Sequence, residues 1–191
     1  MTSRFTFRAR EASGARRESV ARLPALPLAA ALLTAMVALY MALVAFGNIT
    51  DFDTNRQFVR HVLAMDTTFK GPDLMWRAIT SPTLQDIAYV LIIAWETVAA
   101  LVLVAGAVAW VAALRGRAGL GRPRWLSTVG LLMVLLLFGA GFIAVGGEWF
   151  AMWQSKSWNG LDAATRNFTV AGIVLVLVHL PGANSSTTRG D

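Results

Sequence analysis

The sequence contains no cysteine, which excludes disulfide bonds, thiolate metal ligands and cysteine nucleophiles. Charge is also scarce: 15% of the 191 residues are charged, whereas a soluble domain has roughly a quarter. No nucleophile elbow, phosphate-binding loop, dinucleotide fingerprint or aspartate-rich metal motif occurs. These absences argue against the common hydrolases and transferases. We therefore favour a protein that is not an enzyme, and we predict neither a cofactor nor a bound metal.

Hydrophobic residues make up 56% of the chain and are concentrated in four runs. A helix needs about 20 apolar residues to cross the hydrocarbon core of a bilayer. Three runs have this length, and the fourth reaches it if its helix begins near Leu161. The sequence therefore predicts an all-α membrane protein. It is expected to be a four-helix bundle in a membrane domain of residues 23–182, with transmembrane spans at about 26–46, 84–114, 125–147 and 161–180.

Arginine is concentrated on one side of this predicted arrangement. Residues 1–22 contain six arginines, and the segment 115–124 contains four arginines and no acid, whereas the other two connections are nearly balanced. By the positive-inside rule, both termini and the connection around Gly119 are predicted to be cytoplasmic, with the other two connections outside. The polar tails are residues 1–22, predicted to be disordered, and residues 183–191. The basic excess then contacts anionic lipid, and no nucleic-acid partner is predicted.

The first predicted outer connection contains a helical pattern of its own. Phe58, Val59, Val62 and Leu63 lie at i, i+1, i+4 and i+5, which places them on one helical face. The stretch GPDLMWRAI predicts a second short helix. Both helices are expected to lie at the membrane interface with their apolar faces towards it.

Glu96 is the residue that most strongly indicates a function, because it lies inside the second predicted span. An acid at that depth costs about 3 kcal/mol on insertion scales, so its side chain is expected to face the bundle interior and to have a partner. A hydrogen bond between two helices and a site that relays protons or binds a cation are both compatible with this position. No second acid lies at a comparable depth to mark a pathway.

Acidic residues and one histidine are also present in the two predicted outer connections. They are Asp51, Asp53, His61, Asp66 and Glu148. Their carboxylate and imidazole groups suit a divalent metal, but their spacing matches no specific metal motif. Helix caps and surface ion pairs explain the aspartates better.

The second predicted outer connection reads GGEWFAMWQSKSWNGLD and is rich in tryptophan. Trp149, Trp153 and Trp158 lie where an interfacial belt of aromatic residues is expected. Anchoring explains these rings, but it does not explain the Gln154 and Asn159 side chains among them.

Three stretches carry a resemblance to a known family: NITDFDTNRQFVRHVLAMDTTF, LMWRAITSP and GGEWFAMWQSKSWNG, together with Glu96. Over about residues 41–180, the chain resembles the bacterial family of predicted small integral membrane proteins. The resemblance implies a four-helix, multi-pass architecture in the bacterial inner membrane and no particular activity. Because the matching positions are concentrated in the outer connections, it also implies that these connections fold over one another as a cap above Glu96. The residues expected in this cap are Asp51, Asp53, Arg77, Trp149, Trp153, Gln154, Trp158 and Asn159.

Two functional interpretations follow. The first is a non-enzymatic accessory or structural subunit that packs with a membrane-protein partner, a second copy of itself or lipid. The second is an outward-facing site for a small ligand, proton or cation, in transport or in a membrane enzyme, built on Glu96, Glu148 and His61. Asp66 completes the candidate buried polar site in that interpretation. The first interpretation is modestly favoured because no catalytic motif is present.

Overall fold

The computed structural model describes residues 25–181, so the predicted tails at 1–22 and 183–191 lie outside the described residues. The described chain contains helices and turns and no β-strand. Its elements in chain order are α1 (Ala25–Thr50), α2 (Phe52–Ala64), a 3₁₀ turn (Met75–Arg77), α3 (Pro82–Leu114), α4 (Gly121–Leu135), a π-helix that continues α4 (Leu136–Trp149), a second 3₁₀ turn (Met152–Gln154) and α5 (Leu161–His179).

Four of these segments are long and apolar enough to cross a membrane: α1, α3, α4 together with the π-helix, and α5. The bundle closes because α1 packs against α3 and α5, and α4 packs against α3 and α5. This arrangement confirms the predicted all-α bundle of four transmembrane helices with a short helix in the first long connection.

The centre of the bundle receives side chains from all four spans. Met41, Leu103, Leu131 and Ala171 come from different spans, and each is 0% exposed. The opposite faces of the same helices carry exposed leucine, isoleucine and valine side chains. A continuous apolar exterior of this kind indicates contact with lipid.

A buried hydroxyl joins three spans in the half of the bundle where α3 ends and α4 begins. Ser127 of α4 accepts hydrogen bonds at its Oγ from Thr34 Oγ1 of α1 at 3.2 Å and from Trp110 Nε1 of α3 at 2.9 Å. Glycine allows α3 and α4 to approach closely here, since a Cβ at Gly130 would be 2.6 Å from the Cγ of Leu103. Small residues at helix crossings are typical of membrane bundles.

The second half of the third span is π-helical, whereas the sequence predicted one regular helix over 125–147. The segment ends with a hydrogen bond from Phe150 N to Val145 O at 3.0 Å, which has the i→i+5 spacing of a π-helix. π-helices are rare and occur often at functional sites. The hydrophobic pattern does not distinguish them from α-helices, because packing against neighbouring elements decides between the two hydrogen-bond spacings.

The second short helix predicted in the first connection is only a single 3₁₀ turn, Met75–Arg77. The backbone of Ala78, directly after the turn, is extended, with φ of −61° and ψ of 130°, so the helix ends there. Beyond the turn, Ile79 N donates to Leu63 O at 2.8 Å, which fixes the extended chain to the end of α2.

At one end of the bundle, α2 and the connections pack together, and we call residues 51–81 and 150–160 the cap. Met65 and Ala151 have left-handed backbone conformations in it, with φ of 52° and 50°, and both pack beside Phe150 in one buried cluster. This conformation costs an L-residue roughly 1–2 kcal/mol. Packing within the cap therefore fixes both turns.

Candidate functional site

Glu96 is buried inside the bundle and has a hydrogen-bonding partner. It lies on α3 and is 3% exposed. Asn48, in the last turn of α1, donates from Nδ2 to Oε2 of Glu96 at 2.6 Å. The Oδ1 of Asn48 accepts a hydrogen bond from Asn55 Nδ2 on α2. One asparagine thus connects the buried acid to two other helices.

Helical spacing places a tyrosine beside this group. Tyr89 lies seven residues before Glu96, on the same face of α3, and is 1% exposed. Its hydroxyl donates to the backbone oxygen of Asn48 at 3.3 Å. The ring of Phe52, the first residue of α2, lies 4.8 Å from the Tyr89 ring. The end of α1 is therefore held against α3 at the depth of the acid.

A cavity of about 230 Å³ adjoins the Glu96 carboxyl group between α1, α2, α3, the π-helix and α5. Among the described residues that line it, one is an acid and none is a lysine, arginine or histidine. The polar side chains in the lining are Tyr40, Asn48, Asn55, Tyr89, Glu96 and Asn167, and the phenylalanines are Phe58, Phe138 and Phe142. Carboxylate, amide oxygens and aromatic faces are groups that attract cations.

A second cavity of about 210 Å³ shares Tyr40 and Asn167 with the first. Arg166 of α5 lines this neighbouring cavity. A cationic side chain thus borders the adjacent space but not the cavity at Glu96.

His61 and Asp66 lie within hydrogen-bonding distance of each other in the cap. Asp66 Oδ2 lies 2.8 Å from Nδ1 of His61, and the histidine ring stacks on Trp158 at a centroid distance of 4.5 Å. Neither His61 nor Asp66 lines the cavity at Glu96. The structure therefore brings these two predicted site residues together with each other, and not with the buried acid.

Glu148 is exposed and makes no hydrogen bond or ion pair with a described residue. It does not line the cavity either. Among residues 25–181, no group of three or more histidine, aspartate or glutamate side chains is arranged to hold a metal ion. Of the four residues predicted for the buried polar site, only Glu96 is at the cavity.

The two connections of the cap contact each other directly. Thr67 Oγ1 lies 2.8 Å from Ser155 Oγ, and Phe69 N donates to Gln154 Oε1 at 3.0 Å. Trp153, 51% exposed, meets the edge of the Phe69 ring at 6.0 Å. These contacts place the second connection across the first.

Other predicted cap residues shape the ends of helices. Asp51 precedes α2 and accepts a hydrogen bond from Thr54 Oγ1 at 2.9 Å, whereas Asp53 pairs with Arg56 at 3.2 Å. Asn159 Oδ1 accepts a hydrogen bond from Leu161 N at 3.0 Å at the start of α5.

A set of ion pairs that the sequence did not reveal attaches α2 to α3. Arg56 and Arg60, one turn apart on α2, both bind Asp86 of α3, at 2.6 and 3.0 Å. The hydrogen bond to Asp86 raises the pKa of the Arg56 guanidinium above its ordinary value. The i, i+4 spacing of the two arginines was the available signal, but their partner is 30 residues from Arg56 and 26 residues from Arg60 in the chain.

Asn48 and Tyr89 are the functional candidates that sequence reasoning missed. Each is a polar residue inside or at the end of an apolar run, and that placement was the only signal for them.

A family model described as "Predicted small integral membrane protein (DUF2165)" matches residues 26–181, nearly all of the described chain. No curated protein and no solved structure matches the chain.

Proposed function

The chain belongs to the family of predicted small integral membrane proteins, and we propose from the geometry around Glu96 that it binds a small ammonium-type cation inside the bundle. The observation that carries the proposal is a buried carboxyl group at a 230 Å³ cavity whose lining contains no basic side chain. A protonated amine would pair with Glu96 and lie against the phenylalanine faces of the same cavity.

The aromatic lining favours an organic ammonium ion over an alkali metal ion. A metal ion such as Na⁺ or Ca²⁺ is bound through a shell of oxygen ligands. Here the amide oxygen of Asn48 already accepts a hydrogen bond from Asn55, so it is not free to bind a metal ion. Phe58, Phe138 and the tyrosine rings instead offer aromatic faces, which attract ammonium groups through cation–π interactions.

The proposed side of access is the outside of the cell. The cap end of the bundle is opposite the arginine-rich connection 115–124, which the positive-inside rule assigns to the cytoplasm. The cavity lies under the cap, at the level where α1 ends. Bilayer contact accompanies this function because the outer faces of the spans are apolar. The interpretation as an accessory subunit stays a prediction.

The test is binding to protein in lipid nanodiscs, measured as thermal stabilisation by ammonium, methylammonium, tetramethylammonium and guanidinium chlorides. Sodium and potassium chloride at equal ionic strength serve as controls. We expect at least one organic cation to stabilise the wild type, because a ligand at 100 times its Kd adds about 2.7 kcal/mol. Glu96→Gln should weaken that binding by about ten- to a hundred-fold, since a hydrogen bond to a charged group contributes roughly 1.5–3 kcal/mol.

Glu148→Gln is the matched control, because it removes an exposed acid that does not line the cavity. Asn167→Ala tests the cavity without touching the Glu96 hydrogen bond, and it should also reduce binding. The proposal is wrong if none of the organic cations stabilises the wild type more than sodium does, or if Glu96→Gln binds as tightly as the wild type.

A further inference from the structure

A third cavity is an apolar groove of about 310 Å³ between α2, α3 and the π-helix. All the residues that line it are apolar, among them Val62, Leu91, Leu137 and Val145. Leu91 is 64% exposed and Val145 is 48% exposed, so the groove opens on the lipid-facing side of the bundle. Its surroundings in a membrane are therefore acyl chains.

Glycine keeps part of this groove empty. Gly141 lines it, and a Cβ built at Gly141 would meet no atom closer than the Cδ1 of Leu137 at 3.9 Å. A larger side chain at this position would point into open space instead of displacing a neighbour. The groove thus exists partly because the π-helix carries glycine there.

An arginine and two tryptophans lie at the cap end of the groove. Trp149 follows groove residue Val145 by one helical turn and precedes groove residue Phe150. Arg77 Nη1 donates to the backbone oxygen of Trp149 at 3.4 Å, and the guanidinium lies 4.8 Å from the Trp149 ring and 5.6 Å from the Trp76 ring. The positive charge is therefore held against Trp149, which lies between groove residues Val145 and Phe150 in the chain.

This charge has no carboxylate partner within the described part of the chain, and Nε of Arg77 has no hydrogen-bond acceptor there. Trp76 and Trp149 are 70% and 45% exposed, and tryptophans are enriched at the level of the lipid headgroups. Guanidinium groups match phosphate geometry, with two parallel hydrogen bonds available. Arg77 thus complements the phosphate of a phospholipid in charge, and the apolar groove complements one of its acyl chains in shape.

We propose that this surface binds one phospholipid, with its phosphate on Arg77 between Trp76 and Trp149 and one acyl chain in the groove over Gly141. The contacts proposed for the lipid are distinct from those at Glu96, because neither Arg77 nor Gly141 lines that cavity.

The experiment is native mass spectrometry of the full chain released from detergent after incubation with phosphatidylglycerol. Two partial ligands separate the parts of the recognition: diacylglycerol has the chains without the phosphate, and glycerol 3-phosphate has the phosphate without the chains. We expect the protein to retain one phosphatidylglycerol molecule. Diacylglycerol should be retained at least about ten-fold more weakly, because it cannot make the charge-assisted hydrogen bonds of the phosphate. Glycerol 3-phosphate should not displace the bound lipid.

Two variants test the two halves of the site. Arg77→Gln should lower phosphatidylglycerol retention by about ten-fold or more, and Gly141→Leu should abolish it by filling the groove. The matched controls are Arg117→Gln, which removes an exposed arginine from the connection far from the cap, and Gly172→Leu. Gly172 is the glycine to compare because a Cβ there also has its nearest neighbour at 3.9 Å, outside the groove.

Wild-type retention of phosphatidylglycerol in both Arg77→Gln and Gly141→Leu would overturn the proposal. So would equal retention of diacylglycerol, or release of the lipid by glycerol 3-phosphate. If Arg77→Gln fails to fold, Gly141→Leu still decides the matter, since a Cβ at this position has no neighbour closer than 3.9 Å. Measured without added organic cation, Glu96→Gln should leave lipid retention unchanged, so the outcome here is distinguishable from the outcome for the cation site.

Discussion

At the scale of single residues, Asn48 makes three polar contacts from the end of one helix. Its side chain binds Glu96 and Asn55, and its backbone oxygen accepts a hydrogen bond from Tyr89. Hydrogen bonds between membrane helices average only about 0.6 kcal/mol, because the separated helices also find partners. Asn48 should exceed this average, since its removal leaves a buried carboxyl group without its hydrogen-bond donor.

We expect Asn48→Ala to destabilise the protein by about 2 kcal/mol, within the range for leaving a buried polar group unsatisfied. Asn55→Ala should cost clearly less, since it removes one of the two side-chain hydrogen bonds that Asn48→Ala removes. Reversible unfolding of both variants in mixed micelles measures the difference. Equal destabilisation by the two substitutions would contradict the central role given to Asn48.

The sequence was sufficient to predict that the Glu96 side chain is buried and has a partner, because the position of this acid in the membrane is evident from the surrounding residues. An acid inside an apolar run must be buried and partnered, and the hydropathy of the run around Glu96 is enough to show this. The identity of the partner was not accessible, because Asn48 is 48 residues away and its contact depends on how α1 packs against α3. His61 and Glu148 could not be assigned for the same reason: proximity to Glu96 is a property of the folded cap.

At the scale of elements, the attachment of α2 to α3 depends on one acid. Asp86 binds both Arg56 and Arg60, while the apolar face of α2 contributes Val59 to a cluster with Tyr89 and Ile93 of α3. These ion pairs are partly exposed, so salt should weaken them more than it weakens the apolar contacts. Helix α2 is therefore the element of the cap that we expect to open first.

Asp86→Asn should loosen α2 without unfolding the bundle, because the four spans do not depend on this carboxylate. We expect hydrogen exchange of the amides in α2 to accelerate by about ten-fold or more, as in local opening, while exchange in α3 beyond Glu96 stays slow. Asp53→Asn is the control, since the Asp53 side chain is 81% exposed and pairs only with Arg56. Equal acceleration in the control, or uniform acceleration in all helices, would refute a local role for Asp86.

Helix α2 could be predicted from the periodicity of its apolar residues, because a half-buried helix has apolar residues at helical spacing within its own sequence. The same reasoning placed a second helix where the structure has only the turn Met75–Arg77. The extended backbone at Ala78 and the hydrogen bond from Ile79 N to Leu63 O end the helix after one turn. The π-helix carries no comparable signal, since its residues are as apolar as those of a regular transmembrane helix.

At the scale of the whole molecule, hydropathy alone predicted the four spans, because a bilayer requires helices of a fixed length. The orientation of those spans rests on the arginine-rich connection 115–124 and on the arginines of residues 1–22. The absence of cysteine provides a direct way to measure it, since every introduced thiol will be the only one in the chain.

We expect a membrane-impermeant maleimide to label Lys156→Cys in intact cells and to label Gly119→Cys only after the membrane is permeabilised. Both positions are exposed and lie at opposite ends of the bundle, so the two variants control for each other. The reverse pattern would invert the topology, and it would move the proposed cation access to the cytoplasm. Labelling of both positions in intact cells would show that the maleimide had crossed the membrane.

The groove and the cavity at Glu96 have a wall in common, formed by Phe58, Val59, Ile92 and Phe142. A shift of the Phe58 ring that enlarges one space reduces the other. By thermodynamic reciprocity, a lipid that changes the affinity for the cation by some factor has its own affinity changed by that same factor. With both sites occupied as proposed, the composition of the bilayer becomes a heterotropic effector of cation binding.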